Sequence, residues 1–338
     1  MRRLEFEKNF LENRGVSPIG NDGRFCWNHG MPTPSAPAGN GTPPPFEPQT
    51  TKFSAANALR LSMLANAAYL DQADAQQVAT NLGFSRFEWI DLTEQFRDLC
   101  GFAAGCDDYA VLAFRGTADP KDWMTNLNAA PARFSWFFEG AREVGEVHSG
   151  FTLAVRHSWD AIVNAVNNVM PSAPALPDVQ GLSTHQQPTF WLTGHSLGGA
   201  LAVLCGAAFS MTNTIRLVNG IYTFGQPRIG LFNFCNNYNQ LLRSNTFRFV
   251  NKEDLVPRVP FRGWDYADVG NMIHFDSSGT PVLESHQWRN FLSRNIEGFK
   301  EFFNISTHFG ADVGDHDYRG YQDLIATQQD ALNRLFAT

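Results

Sequence analysis

The stretch TFWLTGHSLGGALAVLCGAA, residues 189–208, constrains the fold more than any other part of the chain. Five β-prone residues run into Gly194-His195-Ser196-Leu197-Gly198-Gly199, and an Ala/Leu-rich helix former follows without interruption. A strand that turns so abruptly into a helix needs small residues two before and two after the serine, where side chains would otherwise collide. The serine Oγ then stands at the carboxyl end of a sheet, and the helix N-terminus points its free N–H groups at any negative charge developing there. Taken alone, Gly198 and Gly199 could serve only close helix–strand packing. The strand before and helix after favour a nucleophile at Ser196.

The rest of the chain supplies the sheet. Ser54 can cap a helix in which Ala58, Leu59, Leu61, Leu64, Ala65 and Ala68 recur at three- and four-residue spacing. Strands are predicted at Phe87–Leu92, Cys100–Ala104 and Tyr109–Phe114, and one amphipathic helix over Gly150–Met170. Strand 189–193, helix 196–211, strand 220–224, a helix near 230–242, strand 246–250, a hairpin across 266–283 and helical patterns at 285–303 and 318–336 follow. This alternation predicts an α/β fold with a largely parallel sheet and helices on both faces. Residues 31–50 hold seven prolines and two glycines in twenty positions, and cannot build a core. The domain reading is therefore a Pro-rich extension over 1–50 and one folded domain over 51–338.

Several functions are excluded. A net charge of −7 disfavours nucleic acid and anionic membrane as electrostatic partners. No apolar run is long enough to span a membrane, and no G-x-x-x-x-G-K-[ST] or strand-linked G-x-G-x-x-G supports nucleotide binding. The five cysteines are widely spaced without a CxxC, which fits neither a zinc site nor a disulfide framework. His308, Asp312, Asp315, His316 and Asp317 match no metal-ligand spacing, so no metal or cofactor is expected. Arg2 and Arg3 precede no apolar stretch, so no secretory signal is visible and the chain as written reads as cytoplasmic. Oligomeric state is not legible.

A serine hydroxyl needs a general base, and the base an orienting acid. His195 adjoins the serine, but its ring is expected to point away around the turn. His286, His308 and His316 are the downstream candidates for the base, and Asp254, Asp265 and Asp268 for the acid. Asp254 directly follows the apolar strand Thr246–Val250, and His316 lies in a polar loop before the last helix. The order Ser196, Asp254, His316 is the one expected when successive loops at one sheet end supply a triad. An oxyanion would be met by the Leu197 N–H and by a second donor from an earlier loop, for which VLAFRGTADPKDW is the candidate.

In order along the chain, VLAFRGT, DW, VHSGF, GHSLGGALA, YTFGQPRIG, FRFVNKEDLVPRVP and HDYRGY resemble the class 3 lipase family, typified by Rhizomucor-type fungal lipases. The match runs from about Ser54 to Tyr321. Position by position, the resemblance implies Ser196 as nucleophile, Asp254 as acid, His316 as base and Thr117 as the second oxyanion donor. It also implies an α/β-hydrolase-like fold with a lid over the active site, here about Ala118–Leu127 with Trp123. The function implied is cleavage of long-chain acylglycerol esters, a triacylglycerol lipase acting on lipid or ester substrate at a lipid–water interface. Secretion is implied by the same analogy. A phospholipase A1, a feruloyl-type esterase, an acyltransferase and a catalytically silent lipid-binding module remain alternatives on this scaffold. Trp136, Phe137 and Phe138, flanked by polar residues and glycine, are expected as an exposed rim for acyl chains, and Phe299–Phe303 as core.

Overall fold

A computed structural model describes residues 42–91, 100–117, 130–138, 141, 143–170, 187–212, 217–260, 262–283 and 314–337. Strands β1 (Arg86–Asp91), β2 (Cys100–Gly105), β3 (Tyr109–Phe114), β6 (Thr189–His195), β7 (Gly220–Phe224), β9 (Thr246–Asn251), β11 (Asn271–Phe275) and β12 (Pro281–Leu283) form one sheet in the order β1-β2-β3-β6-β7-β9-β11-β12. The five strands from β3 to β11 run parallel, and antiparallel pairs close both edges. Strand β6, buried along its whole length, has a parallel neighbour on each side. Such a strand must be apolar on both faces, which is why its sequence does not alternate.

Helices cover both faces. Ser54 caps α1 (Ala55–Ala67) by accepting from the Asn57 amide, and the Ala-rich surface of α1 lets its axis lie close to β6. This side holds an aromatic ladder of Phe224, Phe249 and Phe275, with Phe53, Phe247 and Phe336 packed beside it. Each fully buried phenyl ring contributes roughly 2 kcal/mol through area removed from water. Helix α6 spans Phe232–Leu242, and the terminal helices α7 (Tyr318–Thr327) and α8 (Gln329–Leu335) pack on α1. On the opposite face lie α3 (Ser149–His157), α4 (Trp159–Val169) and α5 (Leu197–Met211), where Phe209 of α5 meets Phe190 of β6. Helix α5 is apolar all round because it is buried all round. No helix among the described residues is long and apolar enough to cross a membrane.

The differences from the sequence reading have local causes. The helix predicted over 150–170 is two helices, α3 and α4, hinged at Ser158, whose hydroxyl bonds back to the Ala154 carbonyl and competes with the helix ladder. Helix α2 (Gln72–Asn81), capped by Asp71, was not foreseen. The hairpin expected over 266–283 is only β11–β12. Its first part, β10 (Tyr266–Ala267), instead joins β8 (Gly230–Leu231), β5 (Glu146–His148) and β4 (Pro131–Arg133) in a second, antiparallel sheet. Residues 42–50, assigned by composition to the extension, pack on the body. Phe46 stacks on Tyr109 at 4.3 Å, the Glu47 amide donates to Asn57, and Arg60 donates to the Pro44 carbonyl. The helix predicted at 285–303, Phe299–Phe303 included, lies outside the described residues.

Candidate active site

Strand β6 delivers Ser196 to the turn before α5 with φ 56° and ψ −128°, in the left-handed half of backbone space. Two contacts hold it there. The Ser196 amide donates to the Phe224 carbonyl at 2.8 Å, tying the turn to the end of β7. A Cβ on Gly194 would strike the backbone of Gly198, and one on Gly198 would strike Phe114 and Arg115 at the end of β3. The glycines flanking the serine are thus required by close approach, as the turn geometry predicts.

Asp254 leaves the carboxyl end of β9 in a tight turn, fully buried. Its Oδ1 accepts from the Val256 amide at 2.9 Å, and its Oδ2 accepts from His316 Nδ1 at 2.8 Å and from the Tyr321 hydroxyl at 2.5 Å. His316 comes from the short turn Gly314–His316, and Asp317 caps α7 directly after it. Asp315 accepts from the Glu253 amide and gives its carbonyl to Asn251, pinning this loop to the end of β9. Gly225, adjoining the residue that holds Ser196, takes φ 62°, and a Cβ there would lie 2.8 Å from His316 Cε1 and 3.0 Å from Asp254 Oδ2. The end of β7 therefore touches the serine through one residue and the histidine–aspartate pair through the next.

Ser196 Oγ and His316 Nε2 are both buried, and neither has a hydrogen-bond partner among the described residues. No hydrogen bond joins them in this structure. An unsatisfied buried polar atom costs about 1–3 kcal/mol, and such atoms are rare enough in folded proteins that each calls for a reason. The buried Thr117 hydroxyl likewise has no partner among the described residues. The loop Arg115-Gly116-Thr117 leaves β3 over the N-terminus of α5, with Gly116 against the Ser196 Cβ. Leu197 is the first residue of α5, where helical amides lack intrahelical acceptors.

The other candidates fall elsewhere. His195 is buried, with Nδ1 2.7 Å from the Tyr69 hydroxyl and Nε2 2.9 Å from the His316 carbonyl oxygen, so both ring nitrogens are committed away from Ser196. Burial, then the charge of His316, pushes its pKa well below the ordinary histidine value. Asp268 is bound by Arg228, Arg248 and Arg262. Burial would raise its carboxyl, but the three guanidinium groups overcome this and hold it well below the usual range. Asp265 sits in the turn before β10 at φ 63°. His286, His308, Asp312 and the expected lid, Ala118–Leu127 with Trp123, lie outside the described residues.

The rim expectation is corrected for two of its three residues. Phe137 and Phe138 are buried at 2% and 3% exposure, and Phe138 packs on Phe134 and Trp159 under the second sheet. Trp136 alone faces outward, at 40%. The 3-10 turn Phe134–Trp136 turns the Trp136 ring outward while Phe134, Phe137 and Phe138 face in, which the polar flanks could not reveal. Tyr321 and Tyr69 were missed. They reach the site from α7 and from the turn after α1, far apart in sequence, and no local pattern marks them.

A sheet of this order with a serine on the β6–α5 turn defines the α/β-hydrolase class. Lipase II from Rhizopus niveus shares the fold, with a TM-score of 0.52 at 22% identity, covering 78% of this chain and 92% of that one. Residues 111–264 match the family model described as lipase (class 3). Among curated relatives, triacylglycerol lipase OBL1 of Ricinus communis is 31% identical over 49% of this chain. Phospholipase A1-IIalpha of Arabidopsis thaliana is 26% identical over 75%. The chain spans 38% and 60% of the lengths of these two proteins.

Proposed function

We propose that this protein is a serine hydrolase of lipid carboxylic esters, with Ser196 as nucleophile, His316 as general base and Asp254 as the acid that orients it. The observation that carries the reading is the pair of buried atoms, Ser196 Oγ and His316 Nε2, without a partner among the described residues, with His316 Nδ1 already committed to Asp254. Those atoms would be satisfied when Oγ passes its proton to Nε2 while bonding to an ester carbonyl carbon. The resulting imidazolium would be held by Asp254, and the oxyanion by the N–H groups of Leu197 and Thr117, each worth about 3 kcal/mol to the transition state. His316 then returns the proton to the departing alkoxide, leaving an acyl-serine. Water, deprotonated by the same ring, attacks the acyl carbon and releases the acid with regeneration of Ser196.

Within this reading we favour triacylglycerol as substrate, supported by the resemblance read from the sequence and by the name of the Ricinus relative. A phospholipase A1 specificity is the second reading, supported by the Arabidopsis and Oryza sativa relatives of that name. Initial rates on a triolein emulsion, phosphatidylcholine vesicles and a soluble phenolic ester, with Ser196→Ala as control, separate the possibilities. Preference for triolein supports the lipase. Preference for phosphatidylcholine, with release of the sn-1 chain, replaces it with the phospholipase, and preference for the phenolic ester refutes both. Turnover that survives Ser196→Ala refutes the mechanism, and absence of turnover on all three refutes the enzyme.

A further inference from the structure

Tyr69 follows the end of α1 and carries its hydroxyl to the middle of the site, 2.7 Å from His195 Nδ1. The Gly116 amide, one residue before Thr117, stands against the same hydroxyl and stabilises its oxygen. On the far side of the ring, His195 Nε2 lies 2.9 Å from the His316 carbonyl oxygen. A carbonyl only accepts, so Nε2 carries the imidazole proton, Nδ1 is the acceptor and Tyr69 is the donor. Both groups are held in these states by burial, which lowers the pKa of His195 and raises that of the Tyr69 phenol. The arrangement is braced by stacking. The Tyr69 ring lies on Tyr318 at 4.7 Å and 12°, and the rings of His195 and His316 are 4.6 Å apart.

We infer that Tyr69 and His195 are positioning residues, a strap that joins the oxyanion loop, the nucleophile turn and the loop of the base. The inference rests on the hydrolase reading above. The strap grips the backbone of His316 and leaves its side chain to Asp254 and Ser196. It also sets a neutral ring beside His316, where a second positive charge would oppose the imidazolium formed in each turnover. Any buried histidine needs a partner on each nitrogen; what marks this one is that its two partners come from the turn after α1 and from the loop of the base, with the Gly116 amide of the oxyanion loop against the first of them.

The test uses the full chain, a soluble p-nitrophenyl ester and the variants Tyr69→Phe, His195→Leu and His195→Gln. Glutamine is the conservative choice because its amide can donate to the His316 carbonyl as Nε2–H does. In His195→Leu kcat is expected to fall about 100-fold with KM changed less than about twofold, since misplacing a reacting group costs rate rather than ground-state binding. His195→Gln recovers about tenfold of that loss, and Tyr69→Phe loses about tenfold. Tyr69→Phe combined with His195→Leu is no slower than His195→Leu alone, because the strap is cut either way. Folded His195→Leu protein with kcat within about threefold of the parent overturns the inference, as does absence of rescue by glutamine. If His195→Leu does not fold, Tyr69→Phe decides alone, and a parent-like kcat overturns the inference. A parent that hydrolyses no ester overturns the hydrolase reading instead. The strap is then read by nitrogen-15 NMR, where a slowly exchanging His195 Nε2 proton that loses protection in Tyr69→Phe upholds it and a rapidly exchanging one refutes it.

Discussion

The Tyr321 hydroxyl donates to Asp254 Oδ2 at 2.5 Å, the same oxygen that receives His316 Nδ1. Burial, then the neighbouring Asp254 charge, holds the Tyr321 phenol pKa well above its ordinary value, so it remains a donor across the working range. The Tyr321 hydroxyl oxygen in turn accepts from the Asn251 amide at 3.0 Å, which anchors the end of β9. Removing this hydroxyl therefore affects both the carboxylate and a buried backbone group. Tyr321→Phe is predicted to lower stability by about 2 kcal/mol through the stranded amide and kcat by about tenfold through a less constrained Asp254. Urea unfolding and steady-state kinetics check the two halves separately.

The strain at Ser196 predicts that stability and activity oppose each other. A non-glycine residue held in a sparsely populated backbone region costs about 1–3 kcal/mol, and the Ser196 hydroxyl is buried without a partner among the described residues. Ser196→Gly removes both penalties at the expense of added chain entropy of about 1 kcal/mol. The variant should be as stable as the parent or more so by about 1 kcal/mol, with no ester turnover. Loss of stability on this substitution would show that the turn is not strained.

His195 makes a prediction about pH. Its folded pKa is depressed, so above the unfolded value of about 6.5 the ring is neutral in both states and pH has no effect through it. As pH falls below about 6.5 the unfolded chain takes up a proton that the folded ring refuses, and stability is lost at about 1.4 kcal/mol per unit until the folded pKa is reached. The slope of unfolding free energy between about pH 7 and about pH 5 should flatten by about one proton in His195→Gln. An unchanged slope would mean that this ring titrates normally.

Asp268 contributes on the acid side. Its folded pKa is lowered, so the stability it brings is present above the unfolded carboxylate value of about 3.9 and is lost as pH falls below it. Asp268→Asn leaves Arg228 and Arg248 buried without their counter-charge and should cost about 3–5 kcal/mol near neutral pH. Thermal unfolding at about pH 7 reads the loss. A shift of less than a few degrees would show that the backbone carbonyls around these arginines suffice.

What the sequence disclosed follows the reach of its local signals. The sharp turn at Ser196 was legible because a strand-to-helix bend is written in adjacent residues, and the place of Asp254 because it follows a strand of apolar residues. The central parallel strands were legible for the same reason, each being a short apolar run between turn formers. The second sheet was not, since β8 and β10 have two residues each and exist only through their partners. Phe137 and Phe138 carried no signal of burial because the rings that cover them, Phe134 and Trp159, arrive from separate elements. The Tyr69–His195–His316 chain joins positions more than a hundred residues apart at each link, beyond the reach of any periodicity.

The claim on which the account depends is that Ser196 Oγ can be activated by His316. Intact-mass and peptide analysis after treatment with a p-nitrophenyl alkylphosphonate tests it most directly. The account predicts one phosphonyl adduct per chain on Ser196, absent in Ser196→Ala and formed at least about 1,000-fold more slowly in His316→Ala. An adduct on another residue, or labelling of Ser196 at an undiminished rate in His316→Ala, would contradict it.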